Sequence, residues 1–429
     1  AIKASEAAIA ANEYDSGWRL LLLRVRLTTG EYPEARQFAT ELLKDYRYRS
    51  NAEALWLFHL AYEANGDAAE AGQMLQAIMQ FLNGQRGISD ENTLIFIGRA
   101  LLKAAATDPK QVKENLFDRV LKSSPDNREA LLATGELALA KRDFKLAGQT
   151  FTRAIGHYPD DADLLYGLAK AYAESDPSQM EEPLHTAMFT NPDHVPSLLL
   201  QAHNQADAEQ YDTANGILKA IFKINPNHSA SWALQSALHT VRNEPEKAKS
   251  ARASGLKYWQ ANPLVDHEIG KKLSSKYLFA EGAAHQRQAL EFSKDYLEAK
   301  TQLAQDLLRL GQEEEGWRLA EEAHNADGYD VTTYNLLTLH DSLKKYTTID
   351  RNGFLLRMTS DEAALYGDEA IDLLTEAREL FSAKYDTQIE GPVIVEIFPE
   401  KKDFAVRTFG IPGGDGYMGV CFGKLITAN

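Results

Sequence analysis

Pro125, Pro159, Pro192 and Pro226 stand 34, 33 and 34 residues apart. Two amphipathic helical patterns fit between each pair of prolines. That spacing confines the chain to a stack of helical hairpins, because one such hairpin cannot bury its apolar face alone and must lay it on a neighbour. The clearest unit is Arg128–Asp161. Leu131, Thr134, Gly135 and Ala138 mark its first helix, Ala147, Phe151 and Ala154 its second, and Pro159 its exit. Gly135 and Ala147 let the two helices approach closely, and Phe151 fills the gap that results.

These residues resemble the tetratricopeptide repeat pattern W-x2-L-G-x2-Y, A-x3-F, P. Gly135, Ala147, Phe151 and Pro159 match it, while Leu131 replaces the Trp and Ala138 the Tyr. The phase continues in steps of 34 through Ser229, Pro263, Leu297 and Val331, each at a first-helix start. Trp232 takes the Trp position of its unit, Gly270 and Ala304 the small position of the first helix, and Gly282 and Gly316 that of the second. Towards the N-terminus, turns at Gly30-Glu31-Tyr32 and Gly66-Asp67 and a looser connection at Asn83–Gly87 delimit less regular units. The reading is a solenoid of about nine to ten hairpins over residues 1–348, helical throughout, with no strand in Trp18–Tyr334. Asp126 with Glu129 has capping-box spacing, and Asp160 or Asp161, Asp193 and Asn227 offer N-cap oxygens. The resemblance implies a right-handed superhelix with first helices on the concave face.

The period changes near Tyr346. Gly353–Met358 reads as a strand. Asp361–Tyr385 reads as a long helix with Ala364, Leu365, Ile371, Leu374, Ala377 and Phe381 on its apolar side. Val393–Phe398 follows as a β-branched strand, Glu400–Thr408 as a short helix, Gly410–Gly419 as a glycine-rich loop and Val420–Thr427 as a last strand. Residues 349–429 therefore form a small partial α/β subdomain. Its VEIFP and FAVRTFG stretches resemble the opening half of a gluzincin metallopeptidase domain, most of all the bacterial peptidase-MA-like group, which is often joined to tetratricopeptide repeats. The resemblance implies a zinc helix with H-E-x-x-H after the last strand, where two His four residues apart face one way. Zinc is expected only if the polypeptide continues into that helix. The sequence as given reads as non-catalytic, with no cofactor. The alternative is the substrate-presenting part of a zinc peptidase. The resemblance also favours an exported protein.

Other chemistry is weakly signalled. His267-Glu268 has Lys271 where a second ligand belongs, and the remaining histidines scatter over separate units. Gly419–Lys424 lacks the spacing and the Ser or Thr of a phosphate loop. Cys421 sits in an apolar run and reads as buried packing. As the one cysteine, it excludes an intramolecular disulfide. Asp361-Glu362 and Asp368-Glu369 read as a solvated helix face. The composition, 44% hydrophobic and 25% charged, is that of an ordinary globular chain. The net charge of −16 argues against nucleic acid or an anionic membrane as main partner. No stretch approaches the ~18 apolar residues of a membrane span.

What remains is the concave face, as a groove for an extended or helical peptide of a protein partner. Successive first helices present there Glu129, Leu132, Glu136 and Leu139, then Asp163, Tyr166, Lys170 and Ala173, then Pro196, Leu199, His203 and Ala206. Some tetratricopeptide proteins hold a peptide carboxylate with Lys and Asn at such positions. Here Lys170 is the one suitable cation, and no Asn accompanies it. A second candidate surface is the edge formed by Val420, Cys421, Phe422 and Gly423, where a free strand edge would pair with another chain or be covered by the last repeats near Tyr334–Leu343.

Overall fold

The computed structural model describes residues 2–11, 16–83, 90–389, 391–410 and 416–429. The connection read at Asn83–Gly87, apart from Asn83, and most of the glycine-rich loop after Gly410 lie outside them. The chain is mostly helical, and no described helix is long and apolar enough to cross a membrane. It forms two compact units, residues 1–268 and 269–429. The secondary structure changes at Thr347, close to the boundary read from the sequence, but the compact units divide within the helix Pro263–Ser275. The physical reason is a shared core. Leu303, Leu307, Leu336 and Leu339 of the last hairpins pack with Phe398, Phe404 and Val406 of the α/β part.

In residues 1–268, helices pair as antiparallel hairpins at the tetratricopeptide-like interval. First helices begin at Arg128, Ala162, Val195 and Ser229, in step with the prolines. Phe151 shows why the interval is kept. It is fully buried, and a Cβ added at Gly135 or at Gly167 would lie 2.4 or 2.3 Å from its ring. One aromatic ring therefore fills the gap in its own hairpin and the gap to the next first helix. Phe117 fills the same gap against Gly98 one unit earlier, from a π-helical segment, Lys113–Phe117. First helices of neighbouring hairpins pack on one another, whereas second helices spread apart, so first helices line the inside of the curve.

The caps fall one residue later than the capping-box reading, apart from Asp161, which accepts from the amides of Asp163 and Leu164. Asn127, not Asp126, accepts from the Ala130 amide at 3.0 Å. His194 and His228, not Asp193 and Asn227, are the N-cap residues of their helices. The extended backbone that an N-cap requires sits immediately before the first helical residue.

In residues 269–429 the phase continues with helices Leu297–Arg309, Glu313–Ala326 and Val331–Leu343. The last has no second helix after it. A mixed five-stranded sheet follows instead, with strands β1 Thr347–Arg351, β2 Phe354–Met358, β3 Val393–Ile397, β4 Gly419–Phe422 and β5 Leu425–Ala428. Their order is β1-β2-β3-β5-β4, with β2, β3 and β5 parallel and the outer pairs antiparallel. Strand β1 was not read from the sequence; it joins β2 through Asn352-Gly353, both at positive φ, as a two-residue hairpin turn demands. The last strand read from the sequence is a hairpin, β4 and β5, turning at Gly423 with φ +72°. The long helix Ser360–Tyr385 buries Gly367 and Ile371 and half-buries Ala363, Ala370 and Leu374, while Leu365 and Phe381 of the expected apolar side are exposed.

A buried ion-pair network joins the sheet to the helices of this unit. Arg407 Nε donates to Glu396 at 2.6 Å, and both side chains are fully buried. Arg357 donates to Glu396 at 3.0 Å and to both oxygens of Glu313 at 2.7 and 2.6 Å. Arg407 also donates to the Leu308 carbonyl at 3.2 Å and lies over the Trp317 ring. Two guanidiniums and two carboxylates thus cancel, and each is held by more than one hydrogen bond, the condition under which buried charges are tolerated.

Two outcomes are expected. Phe151→Ala should cost about 3–5 kcal/mol, since a buried aromatic knob is lost between two glycines that cannot close the gap; urea unfolding followed by circular dichroism reads it. Glu396→Ala leaves two arginines short of a partner and should cost roughly 3–5 kcal/mol. Limited proteolysis should then show earlier cleavage within residues 269–429 than within 1–268.

Candidate functional site

The inner wall of residues 1–268 is crossed by a continuous polar row that passes from helix to helix. Arg99, in helix Glu91–Lys103, donates to Glu136 at 2.6 Å and lies 3.9 Å from Glu129. Arg128 reaches Glu129 at 2.5 Å, Asp161 at 2.7 Å and Asp163 at 2.7 Å. Asp163 lies 3.1 Å from His194 Nε2, and His194 Nδ1 lies 2.8 Å from Ser197 Oγ. Tyr166 meets His194 edge to face at 5.8 Å. Lys170, one turn after Tyr166, holds its ammonium 5.8 Å from the centre of the Tyr166 ring.

The side chain of Glu136 is 46% exposed, and loss of solvation raises its pKa against the nearby Arg99. Lys170 is also exposed. Tyr166 beside it raises its pKa against burial, with Glu268 and Glu174 adding to the rise. Among the described residues no carboxylate lies within ion-pair distance of Lys170, whereas Arg99 and Arg128 are matched.

Of the residues singled out by sequence, the structure joins Glu129 and Glu136 through Arg99, and Tyr166 with Lys170. Leu132 is nearly buried and belongs to the core of its hairpin. Leu199 and His203 are half-buried on the next first helix. Arg99, Arg128 and His194 were not read as site residues. Arg99 does stand at the ninth position of its helix, as Glu136 and Lys170 do in theirs, and that phase was available in the sequence.

The second candidate surface lies within residues 269–429. Strand β4 is a sheet edge, so Val420, Cys421 and Phe422 are edge residues, while Gly423 is in the turn. Cys421 is exposed, not packed as its apolar neighbours suggested, because β4 has one face open. Phe422 rests on Tyr277 and Phe279, with ring centres 5.9 and 5.1 Å apart, and Val420 is half-buried on the core of this unit. Helix Lys401–Phe409 packs on Val331–Leu343. The described residues contain no group of three His, Cys, Asp or Glu placed to hold a metal ion. His267 is buried within its repeat. Two clefts of about 560 and 610 Å³, beside Glu313–Arg318 and beside Phe144–Arg153, do not include the polar row.

No family model and no curated protein matches the sequence. A solved structure described as the crystal structure of the APC/C hetero-tetramer Cut9–Hcn1 superposes with a TM-score of 0.37 at 13% identity, covering 80% of this chain and 86% of that one. The solenoid assignment rests on the repeated hairpins themselves.

The His–Ser pairing recurs one unit on and sets a pH response. His228 Nδ1 accepts from the Ser231 amide at 3.3 Å and lies 2.8 Å from Ser231 Oγ. Burial pushes its pKa down to about 4. Nδ1 accepts only while unprotonated, so this cap is intact above the unfolded value of about 6.5 and is lost as pH falls through 4. Asp163, held down to about 2 chiefly by the hydrogen bond from His194, loses its contribution only below pH ~4. The contribution of His228 to the melting temperature should therefore fall between pH 6.5 and 4. His228→Asn, the residue that caps at 127, should remove that part of the pH dependence, worth no more than about 3 kcal/mol. His59 and His340, also lowered by burial, act in the same direction, while Asp306, raised to about 6 by burial, acts in the opposite one, so native and variant are compared at each pH. Calorimetry across that range checks it.

Proposed function

We propose that residues 1–268 form a protein-interaction scaffold whose inner wall binds a segment of a partner protein, with Lys170 meeting a carboxylate on that segment. The carrying observation is Lys170 itself. It is a cation on an enclosed wall, braced by Tyr166, with no carboxylate at ion-pair distance among the described residues. The alternating Arg99, Glu136 and Lys170 at equivalent positions suit an extended or helical ligand that runs along the row. Leu199 and His203, on the following helix, supply apolar and hydrogen-bonding contact beside the anion. The net charge of −16 speaks against nucleic acid in the same place. The other reading, the substrate-presenting part of a zinc peptidase whose H-E-x-x-H helix would lie beyond this sequence, is favoured by no feature of the geometry.

A hydrogen bond from lysine to a carboxylate is worth about 1.5–3 kcal/mol. Peptides selected from a random library on the intact chain should therefore lose roughly ten- to a hundredfold in affinity with Lys170→Ala. Neutralising their carboxylates should weaken them equally on the native chain and have no further effect on the variant. Peptides that bind the variant as tightly as the native chain would overturn the reading.

A further inference from the structure

The geometry points to a latch between successive turns of the coil formed by residues 1–268, one that holds the coil shut and controls access to its inner wall. The turn inside the first described hairpin meets a loop 197 residues later in the chain. Asn225 Nδ2 donates to the Thr28 carbonyl and to the Tyr32 hydroxyl, each at 3.2 Å. Asn227 Nδ2 donates to the Gly30 carbonyl at 2.9 Å. Gly30 has φ +78°, and a Cβ there would lie 2.1 Å from Asn225 Oδ1, so the approach is close enough to require glycine. One hairpin on, the contact repeats: Gly66, φ +75°, faces Trp259, whose Cδ1 lies 2.9 Å from where a Cβ would stand. Tyr32 meets Tyr258 edge to face at 5.8 Å between the two rungs. Both sides thus advance by one repeat, which is the register of one coil turn laid edge to edge on the next.

The local fold does not demand this chemistry. One unit earlier, Asn191-Pro192-Asp193 makes the same turn, with the Asp193 amide donating to Asn191 Oδ1 at 3.2 Å. At the latch the Asn227 amide donates to Asn225 Oδ1 at 3.0 Å in the same way. The side chain of residue 227 is therefore not needed for the turn: its Oδ1 accepts from Lys257 Nζ at 3.3 Å, a contact an aspartate would keep, and its Nδ2 is what reaches Gly30. An aspartate there keeps the turn but sets a carboxylate against the Gly30 carbonyl.

Asn227→Asp is the test, since Asp193 shows that aspartate is accepted in this turn; Gly30→Ala is the second variant. Spin labels at Glu34→Cys and Lys223→Cys, in a Cys421→Ser background, should give one narrow distance in the native chain. Either variant should give a longer, broader distribution with unchanged helical circular dichroism. Unchanged distances in both variants would overturn the latch. For access, His203→Cys should react several-fold faster with a polymer-linked maleimide in the Asn227→Asp variant, and at an unchanged rate with N-ethylmaleimide. Equal rates with the large reagent would overturn the gate. The gate rests on the inner wall being the binding surface and the latch does not, so failure of the Lys170 experiment leaves the distance change standing.

Discussion

A ring wedged where two helices cross sets the geometry of the hairpins. Phe151 fits because Gly135 on one side and Gly167 on the other carry no Cβ. Phe117 does the same against Gly98. In residues 269–429 the side chain of Leu308 takes the place opposite Gly316, and Gly270 and Gly282 face each other with the Gly282 carbonyl 2.8 Å from where a Cβ would stand at 270. A ring shared between two hairpins ties the spacing within a repeat to the spacing between repeats. With both fixed, first helices crowd together and second helices spread, and the stack must curve.

Curvature turns an ordinary surface into an enclosed one, and this changes what its charges do. On a flat helix face Glu136 and Arg99 would be a solvated pair of little energetic weight. Facing a concave space, Glu136 loses enough solvation for its pKa to rise while it stays open to water. The row answers by pairing its charges in sequence, from Arg99, which also holds Glu136, through Glu129 and Arg128 to Asp163 and His194. Lys170 is set apart by resting on an aromatic ring. Were a ligand to lie along this row, as proposed above, the matched charges would make it selective, because a wrong partner would strand a charge.

Residues 269–429 solve a different problem, that of ending a helical stack on a sheet. Helix Val331–Leu343 exposes the face that a second helix would cover, and Phe398, Phe404 and Val406 cover it. The four charges of Arg357, Arg407, Glu313 and Glu396 fix the orientation, since guanidinium and carboxylate pair in few geometries whereas apolar faces can slide. Both stretches that carried the peptidase resemblance, VEIFP and FAVRTFG, deliver a residue to this network, Glu396 and Arg407. Their distinctiveness therefore has a structural cause in this chain.

The sequence by itself determined the repeat. Periodic prolines, small residues at crossing points and a phase of 34 placed the first-helix starts at Arg128, Ser229, Pro263, Leu297 and Val331, because these signals act over a single hairpin. Position within a repeat also put Glu129, Glu136, Tyr166 and Lys170 on successive first helices, where Arg99 joins the first two and Tyr166 meets Lys170, but it did not foretell that Leu132 is buried in the core of its hairpin. Strand β1 and the role of Glu396 were not read from the sequence, although Asn352-Gly353 is a hairpin-turn signal and Glu396 is a lone charge in a β-branched run. Neither residue's partners were legible, because pairing depends on segments far along the chain. The Arg99 and His194 links, the split of the last strand at Gly423 and the exposure of Cys421 were decided by packing. So was the contact of Asn225 and Asn227 with a turn 197 residues away. That contact depends on the pitch of the coil, a sum of small rotations over six repeats that no local pattern of residues records.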